Sequence, residues 1–302
     1  MTPKPILVIG KKGQLARSLS IHAAARATEL VTIGRPEIDI ASVASIERVL
    51  GSVKPRVIIN AAAYTAVDRA EIEEADAFAI NCDGAAHLAA AAARRDIPFI
   101  HVSTDYVFDG TKGAPYVEED MPAPINVYGR SKLFGEQAVL DSHPQAMVFR
   151  SSWIYSAYGH NFLLTMLRLA ATQPIVRVVN DQYGTPTCAS DLASAIIDAA
   201  QRVYSQREAN WGGVYNLTNR GGTTWYGFAH RIFSNLALQG ESVPQLEAIA
   251  TSEFPTPAMR PSYSCLDSSK AERLLQIKLP PWHQSFDAYF NENFLPRKAR
   301  AC

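Results

Sequence analysis

Three side chains in the middle of the chain have the types and spacing needed to move a proton at an oxygen bonded to carbon. Tyr128 and Lys132 are four residues apart in a stretch that favours helix, so both should lie on one helix face. An ammonium favours phenolate, and we expect the pKa of Tyr128 to lie below its ordinary value of about 10. Such a phenol can exchange a proton with a substrate oxygen, and Thr104 offers a second hydroxyl. The alternative is a half-buried tyrosine beside a solvated lysine on an ordinary helix.

A glycine-containing turn near the start of the chain has the spacing of a dinucleotide-binding loop. The apolar run from Pro5 to Ile9 precedes Gly10, Gly13 and Ala16 in the pattern G-x-x-G-x-x-A, and a helical stretch follows. Glycines allow a tight turn and bring backbone N–H groups close to a pyrophosphate at the helix N-terminus. A glycine pattern alone is often only a turn, but a preceding strand and a following helix are the context that the motif requires. The cofactor-binding residues predicted in this turn are Gly10, Lys12, Gly13, Gln14 and Leu15.

The end of the second predicted strand bears on the choice of cofactor. Arg35 stands where many folds of this kind carry an acidic residue that binds the ribose 2′-OH, and an arginine there accommodates a 2′-phosphate instead. Arg35 therefore favours NADPH over NADH, with a solvated loop arginine as the alternative. Asp39 and Ile40 follow at the edge that we expect to face the adenine.

The third and fourth predicted strands point to the same edge of the sheet. Ala62, Ala63 and Tyr64 follow the third strand, and small side chains there leave backbone open to a flat ligand; tight helix–sheet packing is the alternative. The next strand delivers Thr104. Ligands of parallel sheets bind outside the carboxyl ends of the strands, so the turn, the alanines and Thr104 should converge on one crevice. His101, inside an apolar strand, is expected to be a core histidine.

Strands and helices alternate along the first half of the chain, and this rhythm predicts the fold. The pattern is typical of an α/β protein with a Rossmann-type, doubly wound parallel sheet, and we assign residues 1–152 to a dinucleotide-binding domain. One long helix is expected from about Arg69 to Arg95. Beyond residue 152 this rhythm changes, and the final hundred residues are less regular and richer in proline. Residues 153–302 are predicted to form mainly a smaller C-terminal α/β substrate domain, with some segments returning to the first domain.

Composition excludes several classes of function. Lys plus Arg and Asp plus Glu both number 29, so net charge does not favour nucleic acid or an acidic membrane as a partner. The cysteines Cys82, Cys188, Cys265 and Cys302 are far apart and predict reduced thiols instead of disulfides or a zinc site. The sequence shows no signal peptide, and its alanine-rich run is too short to span a bilayer. We expect a cytoplasmic protein.

Several motifs together resemble one enzyme family. The glycine turn, residues 103–110 and the pair Tyr128-x-x-x-Lys132 resemble the extended short-chain dehydrogenase/reductase family. Residues 60–68, 126–129, 150–153, 180–184 and 255–261 resemble, more narrowly, the dTDP-4-dehydrorhamnose reductases within it. The resemblance runs from the first strand to about residue 288. Its motifs are modest singly and specific in combination.

The resemblance implies a reaction and a role for each site residue. A reductase of this kind uses NADPH, with NADH open as an alternative, to reduce the C4 ketone of dTDP-4-dehydro-6-deoxy-L-mannose. The product, dTDP-L-rhamnose, completes the pathway that supplies rhamnose to cell-surface polysaccharide such as the O-antigen of lipopolysaccharide. Tyr128 would protonate the developing alkoxide, Lys132 would lower the pKa of Tyr128 and hold the nicotinamide ribose, and Thr104 would hydrogen-bond the C4 oxygen. The implied substrate-binding residues are Thr104, Asp105, Tyr128, Trp153 and Arg260, the last as a candidate for the diphosphate. A core aromatic is the alternative for Trp153, and a surface arginine for Arg260.

Rival functions on the same fold stay open at this point. A nucleotide-sugar epimerase shares the cofactor fold and the Tyr/Lys pair, whereas a dehydratase normally carries an acidic pair beside the threonine, where Thr104 is followed by Asp105 and Tyr106. A non-catalytic regulatory subunit is the alternative from another class. The intact Thr104, Tyr128 and Lys132 argue against it.

A metal requirement is not expected. Some relatives are thought to use Mg²⁺ through acidic residues at a subunit contact, and this leaves a homodimer open. The corresponding loop, residues 188–191, lacks an acidic cluster with the spacing of a hard-cation site.

Overall fold

A six-stranded parallel sheet forms the centre of the molecule in the computed structural model, which describes residues 4–294. Cys302 and the end of the predicted substrate domain therefore lie outside the described residues. The strands are β1 Ile6–Ile9, β2 Leu30–Ile33, β3 Val57–Asn60, β4 Phe99–Thr104, β5 Met147–Ser151, β6 Ile154–Tyr155, β7 Ile175–Val179, β8 Tyr183–Gly184, β9 Thr187–Cys188, β10 Gly213–Asn216, β11 Thr223–Thr224 and β12 Gln245–Ile249. The sheet has the order β2-β1-β3-β4-β5-β10, and each neighbouring pair is parallel.

Helices connect these strands and cover the sheet. They are α1 Gln14–Ala25, α2 Val43–Val53, α3 Val67–Ala70, α4 Glu74–Phe78, α5 Gly84–Ala93, α6 Val127–Ser142, α7 Phe162–Ala170, α8 Ala189–Ser205, α9 Trp225–Leu238, α10 Ser269–Leu275 and α11 Trp282–Phe294. Short 3₁₀ turns lie at Asp105–Val107 and Thr251–Glu253.

The prediction of one continuous helix between residues 69 and 95 is wrong. The chain forms α3 and α4, then one π-helical turn at Ala79–Asp83, and then α5. A π-helical turn inserts one residue into the helix and changes which side chains face the neighbouring elements. Here it directs Asn81 toward the loop after β3, where it bonds to the backbone of Tyr64.

Both faces of the sheet are packed, which explains why a central strand such as β1 is apolar throughout. In β1, Ile6 and Val8 belong to the core on the side of α1 and α8, whereas Leu7 and Ile9 belong to the core on the side of α2, α5 and α6. Alternate side chains of a strand point to opposite faces, so a continuous apolar run is the expected pattern for a strand buried on both. The predicted doubly wound parallel sheet is confirmed.

The second half of the chain has its own apolar core and also returns to the sheet. Helices α7, α9 and α11 surround a cluster rich in aromatic side chains, beside the two-stranded pairs β7–β12, β8–β11 and β6–β9. Strand β10 pairs with β5, and α8 packs on α1. The boundary at residue 152 between a dinucleotide-binding domain and a substrate domain stays a prediction. Across residues 4–294, no helix has the length and apolar character needed to cross a bilayer.

Candidate functional site

A cleft of about 380 Å³ opens at the carboxyl ends of β1, β2 and β3. It is bounded by the three loops that follow these strands, as expected for a parallel sheet. The predicted cofactor-binding residues that line it are Gly10, Lys12, Gly13, Arg35, Ile40, Ala62 and Ala63. Lys11, Ile38, Thr65 and Ile80 also line it and were not predicted. Sequence patterns could have indicated Lys11 and Thr65, because they stand beside the glycine turn and the alanines.

The backbone around Gly10 is shaped for close approach of a ligand. Gly10 has a φ of 122°, and a Cβ there would lie 3.0 Å from the backbone carbon and oxygen of Ala61. Gly13 precedes α1 in an extended conformation, and no side chain caps this helix start. Backbone N–H groups at such an end attract anions. These features fit a dinucleotide whose pyrophosphate lies against the turn.

Gln14 and Leu15, also predicted to bind the cofactor, face elsewhere. The Gln14 amide donates to Ile154 O at 2.9 Å and accepts from the Ser156 hydroxyl at 3.0 Å. Leu15 is buried in the sheet core. Because side chains of the first turn of α1 point in several directions, only part of the motif can face the cleft. Gln14 instead ties the glycine turn to the second half of the chain.

Asp39 and Tyr64 are likewise not brought to the cleft wall. The Asp39 carboxylate accepts from Ala41 N–H at 3.1 Å and closes a local turn. The Tyr64 hydroxyl donates to the Glu73 carboxylate, and this bond raises the pKa of Tyr64. Each side chain is held by a neighbour close in sequence. A prediction based only on which residues follow a strand does not take such local bonds into account.

Tyr128 lies in the first turn of α6, where the helix start is fixed by a cap. The Asn126 side chain accepts from Gly129 N–H at 2.7 Å and donates to Met259 O at 2.8 Å, an N-cap that also anchors a distant loop. The Tyr128 phenol interacts with the hydroxyl of Thr104 at the end of β4. The structure therefore brings the predicted phenol and the predicted second hydroxyl together.

The expected pKa of Tyr128 was wrong in direction. Burial of the phenol raises the pKa of Tyr128 to about 12, and the interaction with Thr104 only partly opposes that increase. Lys132 lies on the same helix, but its ammonium nitrogen bonds to Val102 O at 2.7 Å and lies 3.2 Å from His101 Nε2. Burial lowers the pKa of Lys132 to about 8. Desolvation disfavours the charged form of both groups. The four-residue spacing of Tyr128 and Lys132 in the sequence does not indicate how strongly each group is desolvated.

Asp105 is buried directly beside Thr104. The Thr104 hydroxyl donates to Asp105 Oδ1 at 3.0 Å. Burial raises the pKa of Asp105 to about 7, while hydrogen bonds from Ser264 and Thr104 act against the increase. A carboxyl group that titrates near neutral pH can donate or accept a hydrogen bond, which suits contact with a sugar hydroxyl.

Trp153 is placed by an unusual backbone conformation. It has a φ of 44°, in the left-handed region that bulky residues rarely adopt. It follows the end of β5, where Ser151 lies beside Thr104 in the sheet register. Its ring stacks on Trp225 with a centroid distance of 3.4 Å and an interplanar angle of 7°. Such strain clusters at functional sites. Trp225, at the start of α9, carries no motif that would have indicated it.

Arg260 is held by an ion pair in the described chain. Its guanidinium donates to both carboxylate oxygens of Asp68, at 2.5 and 2.9 Å, and to Ala258 O at 2.6 Å. It also interacts with Tyr106, whose ring lies edge-on to Tyr128 at 5.9 Å. Arg260 thus belongs to the surroundings of the site, and any bond to a diphosphate would compete with Asp68.

Asn81 is a site residue that sequence reasoning missed. From the π-helical turn, its side chain accepts from Tyr64 N–H at 2.8 Å and donates to Tyr64 O at 3.1 Å and Ser131 Oγ at 2.9 Å. It therefore joins the loop after β3 to the helix that carries Tyr128. Within residues 4–294, no group of three or more His, Cys, Asp or Glu side chains is arranged to hold a metal ion.

Comparison with known proteins gives one consistent family. The model of the RmlD substrate binding domain matches residues 4–294. The dTDP-4-dehydrorhamnose reductase of Sinorhizobium fredii is 45% identical over 282 residues, covering 93% of this chain and 94% of that protein. The same enzyme from Salmonella typhimurium is 37% identical, covering 96% and 98%.

Solved structures agree with the sequence relatives. The dTDP-4-dehydrorhamnose reductase of Bacillus anthracis, crystallised in complex with NADP, has a TM-score of 0.88 and 33% identity, covering 97% of this chain and all of that one. A UDP-glucose 4-epimerase from Brucella ovis reaches a TM-score of 0.77 at 20% identity, a likeness of fold alone. The chain therefore belongs to the dTDP-4-dehydrorhamnose reductase family.

Proposed function

We propose that this chain reduces the C4 ketone of dTDP-4-dehydro-6-deoxy-L-mannose to give dTDP-L-rhamnose, with NADPH as the reductant. The observation that carries this proposal is the meeting of the Thr104 hydroxyl and the Tyr128 phenol at the end of β4, on the same sheet edge as the nucleotide-shaped cleft. Family membership supports the substrate, because the relatives that match along their whole length carry that enzyme's name.

The cleft residues fit the cofactor. Backbone N–H groups from Gly10 to Gly13 would hold the pyrophosphate, and Arg35 with Lys12 would neutralise a 2′-phosphate. When bound there, the reduced nicotinamide supplies the hydride. The chain would bind the dinucleotide in this cleft and position the substrate carbonyl at Thr104 and Tyr128.

Tyr128 is proposed as the acid that protonates the alkoxide oxygen. With a pKa of about 12, the phenol keeps its proton at neutral pH and can donate it as negative charge develops on the substrate oxygen. Thr104 would donate a second hydrogen bond to that oxygen by turning its hydroxyl proton away from Asp105. Lys132, on the same helix face, stabilises the phenolate that the donation leaves behind.

The remaining predicted residues are assigned to the substrate. Asp105 would bond a sugar hydroxyl, Trp153 would cover a face of the sugar nucleotide, and Arg260 would approach the diphosphate by exchanging its Asp68 partner. We further propose a cytoplasmic location, a homodimer, and the two-domain division at residue 152, with the second half forming most of the substrate site.

The test compares turnover by wild type, Tyr128→Phe and Tyr106→Phe. Tyr106 is a matched control, since it is a partly buried neighbour of Tyr128 whose ring lies edge-on to it. The assay follows loss of NADPH absorbance with enzymatically made substrate. We expect Tyr128→Phe to lower kcat by about 10²-fold or more with cofactor affinity retained, and Tyr106→Phe to stay within about tenfold of wild type.

Equal turnover rates for wild type and Tyr128→Phe would show that Tyr128 is not the proton donor. A wild type that binds NADPH but reduces no substrate would overturn the reductase proposal. A tightly retained NAD in the purified protein would then point to an epimerase.

A further inference from the structure

A buried chain of polar groups runs behind Lys132, away from the substrate side. Lys132 Nζ lies 3.2 Å from His101 Nε2, His101 Nδ1 lies 3.1 Å from Asn60 Nδ2, and Asn60 Oδ1 accepts from Ala62 N–H at 3.2 Å. Lys132, His101 and Asn60 are almost fully buried. Ala62 lines the nucleotide-shaped cleft. The chain thus joins the proposed catalytic lysine to the cleft wall.

With Asn60 Oδ1 toward Ala62 N–H, the donors and acceptors along this chain are consistent in only one way. The bond from Ala62 N–H fixes Asn60 Oδ1, so the Asn60 group that faces His101 is the NH₂ donor. His101 Nδ1 must then be an unprotonated acceptor, and in a neutral imidazole the proton sits on Nε2. That N–H points at Lys132 Nζ, which can accept it only as a neutral amine. The amine still donates to Val102 O at 2.7 Å.

A charged Lys132 requires a different arrangement of the same groups. An ammonium has no lone pair, so it must donate to His101 Nε2, and the imidazole proton must then sit on Nδ1. The Nδ1–H would face the Asn60 NH₂ group, donor against donor, inside the core. Rotating the Asn60 amide by half a turn relieves this conflict at His101 but places the NH₂ group against Ala62 N–H. The rotation also takes the acceptor away from Ala62 N–H.

We infer that His101 and Asn60 are positioning residues that couple the charge of Lys132 to the hydrogen bond between Asn60 and Ala62 N–H, a residue of the cleft wall. When Lys132 becomes charged, the proton on His101 Nε2 passes to Nζ, and one proton from solvent ends on Nδ1, so that a single proton is taken up and His101 stays neutral. The inference rests on the proposed role of Lys132 in catalysis. Its test does not require turnover.

The other charged groups near Lys132 and His101 do not reverse this coupling. Glu136, also on α6, favours the charged Lys132, but it is paired with Arg150 of β5 in a buried ion pair. From β3 only the uncharged Asn60 approaches His101. Burial and the charge of Lys132 both hold the pKa of His101 well below its ordinary value. His101 is therefore expected to change tautomer without becoming an imidazolium.

The experiment reads the His101 tautomer directly. Protein labelled with ¹⁵N-histidine, without cofactor, is examined by two-bond ¹H–¹⁵N correlation between about pH 7 and pH 9, and Lys132 is followed through its ¹³Cε shift. Lys132→Met and His101→Gln identify the two signals. His143 is an internal control, because its Nε2 lies 3.0 Å from Ile97 O and should keep that proton throughout.

We expect His101 to carry its proton on Nε2 at high pH and on Nδ1 at low pH, with the midpoint of the Lys132 titration. In Asn60→Asp, an isosteric change, the carboxylate accepts from both Ala62 N–H and Nδ1–H, so the Nδ1–H tautomer should persist at every pH and the Lys132 midpoint should shift upward. A single wild-type tautomer through the Lys132 titration, an imidazolium at His101, or an Nε2–H tautomer in Asn60→Asp would each overturn the inference.

Discussion

The buried carboxyl group of Asp105 makes a quantitative prediction about stability. Its pKa is raised from 3.8 to about 7 by burial beside Thr104. In the unfolded chain the group loses its proton near its ordinary pKa, while in the folded chain it keeps the proton until about pH 7. The unfolded state therefore binds fewer protons between these values. Stability contributed by this group must fall as pH rises from about 4 to about 7 and must then level off.

The size of the effect follows from the difference between the two pKa values. One pKa unit corresponds to about 1.4 kcal/mol, so a difference of about three units amounts to about 4 kcal/mol in the free energy of unfolding. Asp105→Asn removes the titration and keeps both the shape and the acceptor for the Thr104 hydroxyl. Relative to wild type, the variant should gain up to about 4 kcal/mol at pH 8 compared with pH 4.

The assay is urea unfolding of both proteins at several pH values in that range. Asp109→Asn provides a control, because hydrogen bonds from Thr111 and Tyr116 lower the pKa of Asp109. Its contribution to stability is present above the unfolded pKa of 3.8 and is lost only as pH falls below that value. Between pH 8 and about pH 5, the pH curve of Asp109→Asn should run parallel to that of wild type.

Parallel pH curves for wild type and Asp105→Asn would refute the reasoning, because they would mean that Asp105 titrates alike in the folded and unfolded chain. A larger loss in Asp105→Asn at pH 8 than at pH 4 would refute it as well, since that result requires a lowered pKa.

Three further substitutions test the geometry of the site. Gly129→Ala should lower kcat/KM by about 10²-fold, because a methyl group there meets a backbone carbonyl and displaces the helix that carries Tyr128 by a large fraction of an ångström. Gly51→Ala is the control, because the space around Gly51 is open. It should leave the rate unchanged and raise stability by about 0.5–1 kcal/mol. Gly10→Ala should weaken NADPH binding by about tenfold or more in a titration, because alanine is strained at that φ. Trp225→Ala should raise KM for the sugar nucleotide by up to about tenfold with a smaller effect on kcat, since the stack on Trp153 is worth about 0.5–1.5 kcal/mol.

The sequence predicted the sheet well because both of its faces are buried. Runs such as Ile6 to Ile9 and Val57 to Ile59 are apolar without interruption, and a parallel strand covered on both sides produces that pattern. The prediction that the loops after these strands meet at one edge of the sheet then followed from the parallel topology alone. The π-helical turn could not be predicted, since it depends on how residues 79–83 pack against α6 and on the bonds that Asn81 makes.

Side-chain direction and charge were predicted less well than position. The i, i+4 spacing placed Tyr128 and Lys132 on one helix, but the partners of Lys132 come from β4, about thirty residues earlier. Local bonds likewise decided where Asp39 and Tyr64 point. Hydrogen-bond partners distant in sequence, and the loss of water around them, are properties of the assembled fold. The role of each predicted site residue stays a prediction.

The raised pKa of Tyr128 changes the part that Lys132 has to play. A phenol already ionised at neutral pH would have no proton to give, whereas one with a pKa of about 12 has it available. The difficulty moves to the moment after transfer, when a phenolate remains in a site that has excluded water. In the proposed mechanism a cation at Lys132 is worth most at that moment, because its attraction is strongest where little solvent screens it. The pKa of Lys132 is lowered to about 8, so this lysine switches readily between neutral amine and cation, as the proposed role requires.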